Sequence, residues 1–382
     1  MNRDTFGQSL TLALFGESHG PAVGCVLQGL RAGTPVDLGF MAAQLERRRG
    51  AAALSTPRRE ADRVRVLSGL YQGRSTGGAL CLVIENQDTR SGDYEKQAGL
   101  LRPGHADYTG LVKYGGFADP RGGGHFSGRL TAPIVAAGSV LLKLLAEKGV
   151  RIGTRLAACG GARDEASFSQ DPAALAGQLA ALAGAPFPTL SEGAGARMQA
   201  AIQAAARAGD SVGGVLETAV LGLPPGLGEP FFGSVESQLG ALLFSMPGVK
   251  GVEFGSGFEM ASLRGSQAND PFRVGAAGGV ETASNHNGGV NGGITNGMPL
   301  VFRTAVKPTP SIFLEQDTVD YPRRENTRLS IAGRHDPCIA HRAAAVQDSL
   351  AALGLGDLCN QALGLAWQGG PAWPKEAPWT TA

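Results

Sequence analysis

The sequence predicts a single α+β domain organised around an internal repeat. Two observations carry that reading. One glycine-punctuated unit occurs twice at constant register, and no linker-like stretch divides the 382 residues. That length suits one large domain or two ordinary ones, with a sizeable core in either case.

The first copy of the repeat runs Gly16-Glu17-Ser18-His19-Gly20, then 23–27 and Gly29, Leu30 and Gly33. The second runs Gly209-Asp210-Ser211-Val212-Gly213, then 214–216 and Gly222, Leu223 and Gly226. From Gly16 to Gly209 and onward the offset is 193 with no gap. Each copy then enters a helical pattern, 37–49 in the first and 234–245 in the second. The unit reads as turn, strand, turn, helix, with a strand at 10–15 ahead of the first copy. Between the copies, 133–148 reads as a helix stopped by Gly149, followed by a strand at 150–158. Asp171-Pro172 opens an alanine-rich helix to Gly184, an N-cap with proline at the first helical position. Residues 194–208 form another. A last helix is expected to begin at Asp336-Pro337, with Ile339, Val346, Leu350 and Leu353 on one stripe. The domain is expected over 1–368, with repeat halves beginning near 10 and 205, and a frayed tail over 369–382.

Composition bounds the function. The 58 glycines are about twice the usual share of ~7%; they cluster without a period, which implies tight turns and close backbone approach. A net charge of +1 gives no global field for nucleic acid or membrane. Arg47, Arg48, Arg49, Arg58, Arg59, Arg63 and Arg65 nevertheless fall in one short stretch, either a solvated face or an anion site. The five cysteines, Cys25, Cys81, Cys159, Cys338 and Cys359, lack zinc or redox spacing and read as reduced thiols. The start has no signal-peptide layout and 10–15 is too short to span a bilayer, so a soluble, cytoplasmic protein is expected.

Five of the six histidines, His19, His105, His125, His286 and His335, sit in glycine-, asparagine- or proline-rich segments, where sites are built on loops. The repeat singles out His19: the second copy has Val212 there, so the turn itself does not need an imidazole. Gly16–Gly20 also matches the G-x-S-x-G nucleophile elbow, which would make Ser18 a hydrolase nucleophile. An elbow requires a helix directly after the serine, whereas Pro21 and 23–27 read as a strand. No P-loop and no G-x-G-x-x-G between strand and helix occurs, so the glycine runs 121–128 and 287–293 are not standard nucleotide fingerprints.

Taken in order, the segments resemble the chorismate synthase family. They are 15–20; Arg58-Arg59-Glu60-Ala61-Asp62 with Leu67-Ser68-Gly69; Arg102-Pro103-Gly104-His105-Ala106-Asp107-Tyr108 with Lys113-Tyr114-Gly115; and Arg121-Gly122-Gly123-Gly124. Later come 209–214, Val249-Lys250-Gly251-Val252-Glu253, Arg264-Gly265-Ser266-Gln267, 288–293, Lys307-Pro308-Thr309 and Gly333-Arg334-His335-Asp336-Pro337-Cys338. The match covers nearly the whole chain except the tail.

The resemblance implies a β-α-β-α-β layered sandwich, a homotetramer, and elimination of phosphate from 5-enolpyruvylshikimate 3-phosphate to give chorismate. Reduced flavin mononucleotide is implied as a catalyst, with NADPH as a candidate reductant. His19 would protonate the departing phosphate, His105 would lie against the flavin, and Asp336 would serve as base. As Asp-Pro at a helix start, Asp336 also reads as an ordinary N-cap. Flavin contacts are implied for His125, Phe126, Ser127, Pro247, Gly248, Gly292, Lys307, Pro308, Thr309, Pro310, Ser311 and Arg334. Arg48 and Arg129 are implied for substrate or NADP; no metal is implied. The run 125–132 departs from the common family wording, with His125 in place of arginine and Leu130 in place of an acidic residue. Ala51-Ala52-Ala53 stands where another arginine often occurs. These departures keep a non-catalytic flavin- or phosphate-binding relative as the alternative to the enzyme.

Overall fold

A computed structural model of the chain describes residues 4–50, 54, 62–87, 99–275, 278–331 and 335–374. The first half opens with strands β1 (Thr5–Phe6), β2 (Thr11–Gly16) and β3 (Ala22–Gln28), then helix α1 (Leu38–Arg49). Asp37 caps α1 by accepting from the Phe40 amide. Strand β4 (Val64–Ser68), the small hairpin β5 (Leu70–Tyr71) and β6 (Arg74–Ser75), and strand β7 (Leu80–Glu85) follow. These strands form an antiparallel sheet in the order β1-β2-β3-β7-β4. Helix α2 (Asp107–Lys113) and helix α3 (Thr131–Glu147) complete the half.

The second half runs β8 (Arg151–Cys159), β9 (Ala162–Arg163), α4 (Pro172–Gly184), α5 (Glu192–Arg207), β10 (Gly214–Leu221), α6 (Val235–Ser245) and β11 (Val249–Phe254). A short turn of helix α7 (Gly265–Ala268) precedes the hairpins β12 (Phe272–Val274) with β13 (Val280–Thr282) and β14 (Val290–Asn291) with β15 (Ile294–Thr295). Strand β16 (Leu300–Val306), the hairpin β17 (Gln316–Asp320) with β18 (Glu325–Leu329), and helix α8 (Ala340–Leu363) end the series. The second antiparallel sheet has the order β11-β16-β10-β8-β9.

The two sheets are copies of one topology. Strands β3, β7 and β4 correspond to β10, β16 and β11, and β2 corresponds to β8. The 193-residue offset is realised in backbone: Gly29 and Gly222 have φ of 89° and 86°, and Gly33 and Gly226 have 87° and 97°. Such conformations favour glycine, which is why those residues recur. A second stretch repeats at an offset of 220, with Gly69, Gly73 and Gly77 matching Gly289, Gly293 and Gly297. The amide of Gly33 donates to the Ser75 carbonyl and that of Gly226 to the Thr295 carbonyl, both at 2.8 Å. The amide of Thr76 donates to Gly69 and that of Asn296 to Gly289, both at 3.0 Å. In the second half, α4 and α5 are inserted between β9 and β10, so β8 rather than a segment near 205 pairs with β10 as β2 pairs with β3.

Between the sheets lies a helix layer. Helix α3 covers the first sheet, α6 and α8 cover the second, α1 packs on α3 and α8, and α3 packs along α8. Helix α8 is therefore buried on all sides from Ala343 to Asn360. Helix α3 is apolar enough in length and composition to cross a membrane, but its apolarity is accounted for by its place between a sheet and α8. At their contact Gly138 faces the Ser349 backbone, where a Cβ would stand 2.7 Å from the Ser349 Cα. Helix α4 packs on the outer face of the second sheet through Leu175 and Leu179 against Ala219.

Two expectations are corrected here. The last helix starts at Ala340, not at Asp336; its N-cap is Ile339 and carries no side-chain bond. The Val212 amide holds the Pro337 carbonyl at 2.8 Å and Arg342 takes the Asp336 carboxylate, so 336–339 stays outside the helix. The tail is not frayed over 369–374. Lys148 Nζ donates to the carbonyls of Gly370 and Ala372 at 2.6 and 2.5 Å, and Trp373 stacks on Trp367 with centroids 6.3 Å apart. All five cysteines are free thiols.

Candidate functional site

His19 sits in the turn between β2 and β3, at the edge of the first sheet where Ala22 pairs with Glu85. That register brings the residue after β7 to the same turn. Asn86 Nδ2 donates to the Glu17 and Gly20 carbonyls at 3.0 and 2.8 Å, and its Oδ1 accepts from Arg129 Nε at 2.9 Å. The Ser18 amide donates to the Gly124 carbonyl at 3.1 Å.

The 121–126 segment passes directly over this turn. Gly122, Gly123 and Gly124 all have positive φ, at 60°, 89° and 51°. Close approach explains the glycines as much as φ does. A Cβ on Gly122 would overlap the His19 ring, and one on Gly123 would stand 3.3 Å from both Cε1 and Nε2 of His105. Two adjacent glycines thus back onto the two histidines that the sequence singled out. Asp119 lies nearby, its carboxyl held below the usual range by hydrogen bonds from Arg121, against the opposing effect of burial, with the His19 charge adding to the lowering.

The neighbouring segments extend the cluster. Gly104 packs beside Pro310, and Lys307 Nζ donates to the Gly104 carbonyl. The Lys307 amide donates to the Gly248 carbonyl at 2.9 Å, which brings 247–248 alongside. Thr309 is tied by its carbonyl, which accepts from Ser211 Oγ at 2.7 Å. Ser311 lines a cleft together with Asp210, His335 and Asp336. Residues 209–213, the second copy of the His19 turn, therefore stand beside Asp336. Asp336 is paired with Arg342, whose Nε donates to the Arg48 carbonyl at 3.2 Å.

The predicted arginine site is only partly available. Arg48 and Arg129 converge on Asp62, which itself is buried, next to the Asn86 turn. Arg47 pairs with Asp348 at 2.9 Å, and Arg65 pairs with Glu85. Arg58, Arg59, Ala51, Ala52, Ala53 and Arg334 lie outside the described residues.

Other expected contacts have local duties. His125 places Nδ1 3.1 Å from the Gly16 carbonyl and Nε2 3.2 Å from Asp4, so it clasps the end of β2. Leu130 is in the core. The two departures from the family wording thus face the protein itself. Phe126 packs on Gly110 and Tyr114, and Ser127 accepts from the Arg129 amide. Gly292 is at the tip of the β14–β15 hairpin, next to Gly293, which packs on Ser234 and Glu229. His286 binds Ser256 Oγ, just after β11, at 3.0 Å, and His341 stacks on Phe187. Residues given no role from the sequence, Asn86, Asp62 and Arg342, prove central to the framework. Asn86 could not be found by motif, because its role depends on sheet register.

Two buried hydroxyl oxygens in this cluster, Ser18 Oγ and Thr309 Oγ1, have no hydrogen-bond partner among the described residues. Unsatisfied buried polar atoms are uncommon and fit a polar ligand at that position. Among the described residues no group of acidic, histidine and cysteine side chains could hold a metal ion.

Comparison with known proteins places these features in a family context. The family model described as chorismate synthase matches residues 10–359. A chorismate synthase of Dehalococcoides mccartyi is 44% identical over 360 residues, covering 94% of this chain and 97% of its own. One of Thermococcus kodakarensis is 45% identical over 351 residues, covering 92% and 96%. A solved structure titled Crystal Structure of Chorismate Synthase superposes with a TM-score of 0.74 at 27% identity, over 96% of this chain and 95% of that one.

Proposed function

The chain belongs to the chorismate synthase family and so to the carbon–oxygen lyases, and from that premise we propose that His19, His105 and Asp336 carry the elimination. The observation that supports this most is the stacking of His19 and His105 on adjacent glycines of one turn, beside the unpartnered Ser18 hydroxyl.

The substrate is 5-enolpyruvylshikimate 3-phosphate. The reaction breaks a carbon–oxygen bond to phosphate and a carbon–hydrogen bond, and forms one carbon–carbon double bond. Phosphate and a proton leave together, with no net redox change. His19 supplies a proton to the leaving phosphate, which weakens the developing charge as the bond breaks. Arg48 and Arg129, gathered on Asp62, hold the anion in place. Asp336 accepts the proton released from carbon, and its pairing with Arg342 holds the carboxylate in place. Bound reduced flavin mononucleotide would supply electron density transiently and recover it. Ser18, Lys307, Pro308, Thr309, Pro310 and Ser311, with 247–248 behind them, are the residues that would hold it. NADPH as its reductant, a cytoplasmic location and a homotetramer belong to the same reading. The tetramer is supported by apolar side chains left on the surface, among them Phe231, Phe232, Phe258 and Phe272.

The test is anaerobic turnover of 5-enolpyruvylshikimate 3-phosphate with flavin mononucleotide and dithionite. Chorismate and phosphate released in equal amounts, and only with reduced flavin, are expected. Flavin binding without chorismate would reduce the protein to a binding relative. Exchanging dithionite for NADPH asks whether the protein reduces its own flavin.

A further inference from the structure

Arg102, His105 and Asp107 lie within six residues of sequence, where the chain turns into α2. Local folding closes them into a triad. The Arg102 amide and Nε both donate to Asp107 Oδ2, at 2.9 and 2.8 Å, and Arg102 Nη2 donates to Oδ1 at 2.6 Å. His105 Nδ1 lies 2.8 Å from the same Oδ1. Burial alone would push the Asp107 carboxyl up. The bonds from Arg102 and then His105 outweigh it and hold the group well below the usual carboxylate range.

An ionised carboxylate only accepts, so the nitrogen facing it must carry the proton. Arg102 Nη2 also approaches Nδ1, at 3.2 Å. A guanidinium only donates, so with Nδ1 protonated that approach is not a hydrogen bond. The opposite edge of the ring, Cε1 and Nε2, faces Gly123 at the distance already given.

We propose that Asp107, braced by Arg102, is the positioning residue that fixes His105 as its Nδ1–H tautomer, so that Nε2 offers a lone pair beside Gly123. The tautomer stands on this geometry; its importance for turnover rests on the function proposed above. It divides the work of the site. His19 supplies a proton, while His105 receives a hydrogen bond or a proton from whatever polar group lies against the glycine turn.

Imidazole nitrogen spectra of histidine-labelled protein test this, recorded without cofactor or substrate at about pH 9, above the ordinary imidazole range. His105→Gln identifies the resonance by its loss. The wild type should show Nδ1 protonated and Nε2 bare. Asp107→Asn should reverse this. Two Arg102 donors converge on the Oδ2 site, so the amide oxygen takes that place and the amide nitrogen faces Nδ1 as a donor. The proton is then driven to Nε2. Turnover in Asp107→Asn should fall about a hundredfold in kcat with KM changed less than about threefold, the order expected when an imidazole's orienting partner is lost. Asp107→Glu should recover part of that loss. A wild type protonated on Nε2, which needs no variant to fold, overturns the proposal, as does a tautomer unmoved by Asp107→Asn. An inactive wild type with the expected tautomer and reversal still supports the dyad and sinks the lyase reading alone.

Discussion

His19 owes its place to single residues that do no chemistry. Gly122 is the sharpest case, because its φ of 60° and its contact with the His19 ring both exclude a side chain. Gly122→Ala should cost about 1–2 kcal/mol of stability from backbone strain, yet lower kcat by about two orders of magnitude because the ring must move. Measuring urea stability and turnover on the same preparation separates the two; full activity would contradict the assigned contact. The carboxylates of Asp37, Asp107, Asp119 and Asp270 are all held low in the folded state. A depressed folded value means stability that is present above the unfolded value, near 4, and lost as pH falls below it. The urea midpoint should therefore be flat from about pH 6 upward and fall below about pH 4, more shallowly in Asp107→Asn. At this scale the sequence was readable where partners are close in the chain. Arg102, His105 and Asp107 are visible as a cluster, and His19 stood out against Val212. Asn86 was not readable, since only the pairing of Ala22 with Glu85 carries it to the turn.

Helix starts show the same limit at the next scale. Asp37, Asp171 and Ser234 cap the helices that their positions announced, because a cap needs only its own next three residues. Asp336 failed as a cap because Arg342, in the first turn of that helix, takes its carboxylate, while the Val212 amide holds the Pro337 carbonyl from elsewhere in the fold. That failure leaves its carboxylate on the cleft rather than spent on a helix end. Helices α3 and α8 cross at close quarters. Gly138→Ala would press a methyl group onto the Ser349 backbone and should cost about 1–3 kcal/mol, read as a lower thermal midpoint with kcat retained. An unchanged midpoint would mean that the helices can part without loss.

For the whole molecule, the pseudo-twofold arrangement explains why the site lies where it does. Equivalent turns from the two halves, 16–20 and 209–213, bring His19 and the Asp336 segment to one region, and the halves meet through α3 and α8. The 193-residue repeat keeps four glycines in register, and the 220-residue correspondence keeps three, Gly69, Gly73 and Gly77 against Gly289, Gly293 and Gly297. The second stretch went unread because the offset changes between the two. The same packing buries Cys25, Cys159, Cys338 and Cys359, and burial pushes the Cys359 thiol up to about 12. A thiol reagent should therefore label Cys81 alone in the native protein and all five after unfolding; rapid labelling of two or more in the native state would contradict this packing.

The central claim, that His19 acts as the acid of a site held by a glycine turn, is tested most directly with His19→Ala. The measurement is kcat under anaerobic conditions beside the dissociation constant for reduced flavin. A fall in kcat of about 10²–10⁴-fold, the usual worth of a general acid, with flavin affinity unchanged, is the expected result. A variant that releases phosphate and chorismate at the wild-type rate would contradict it.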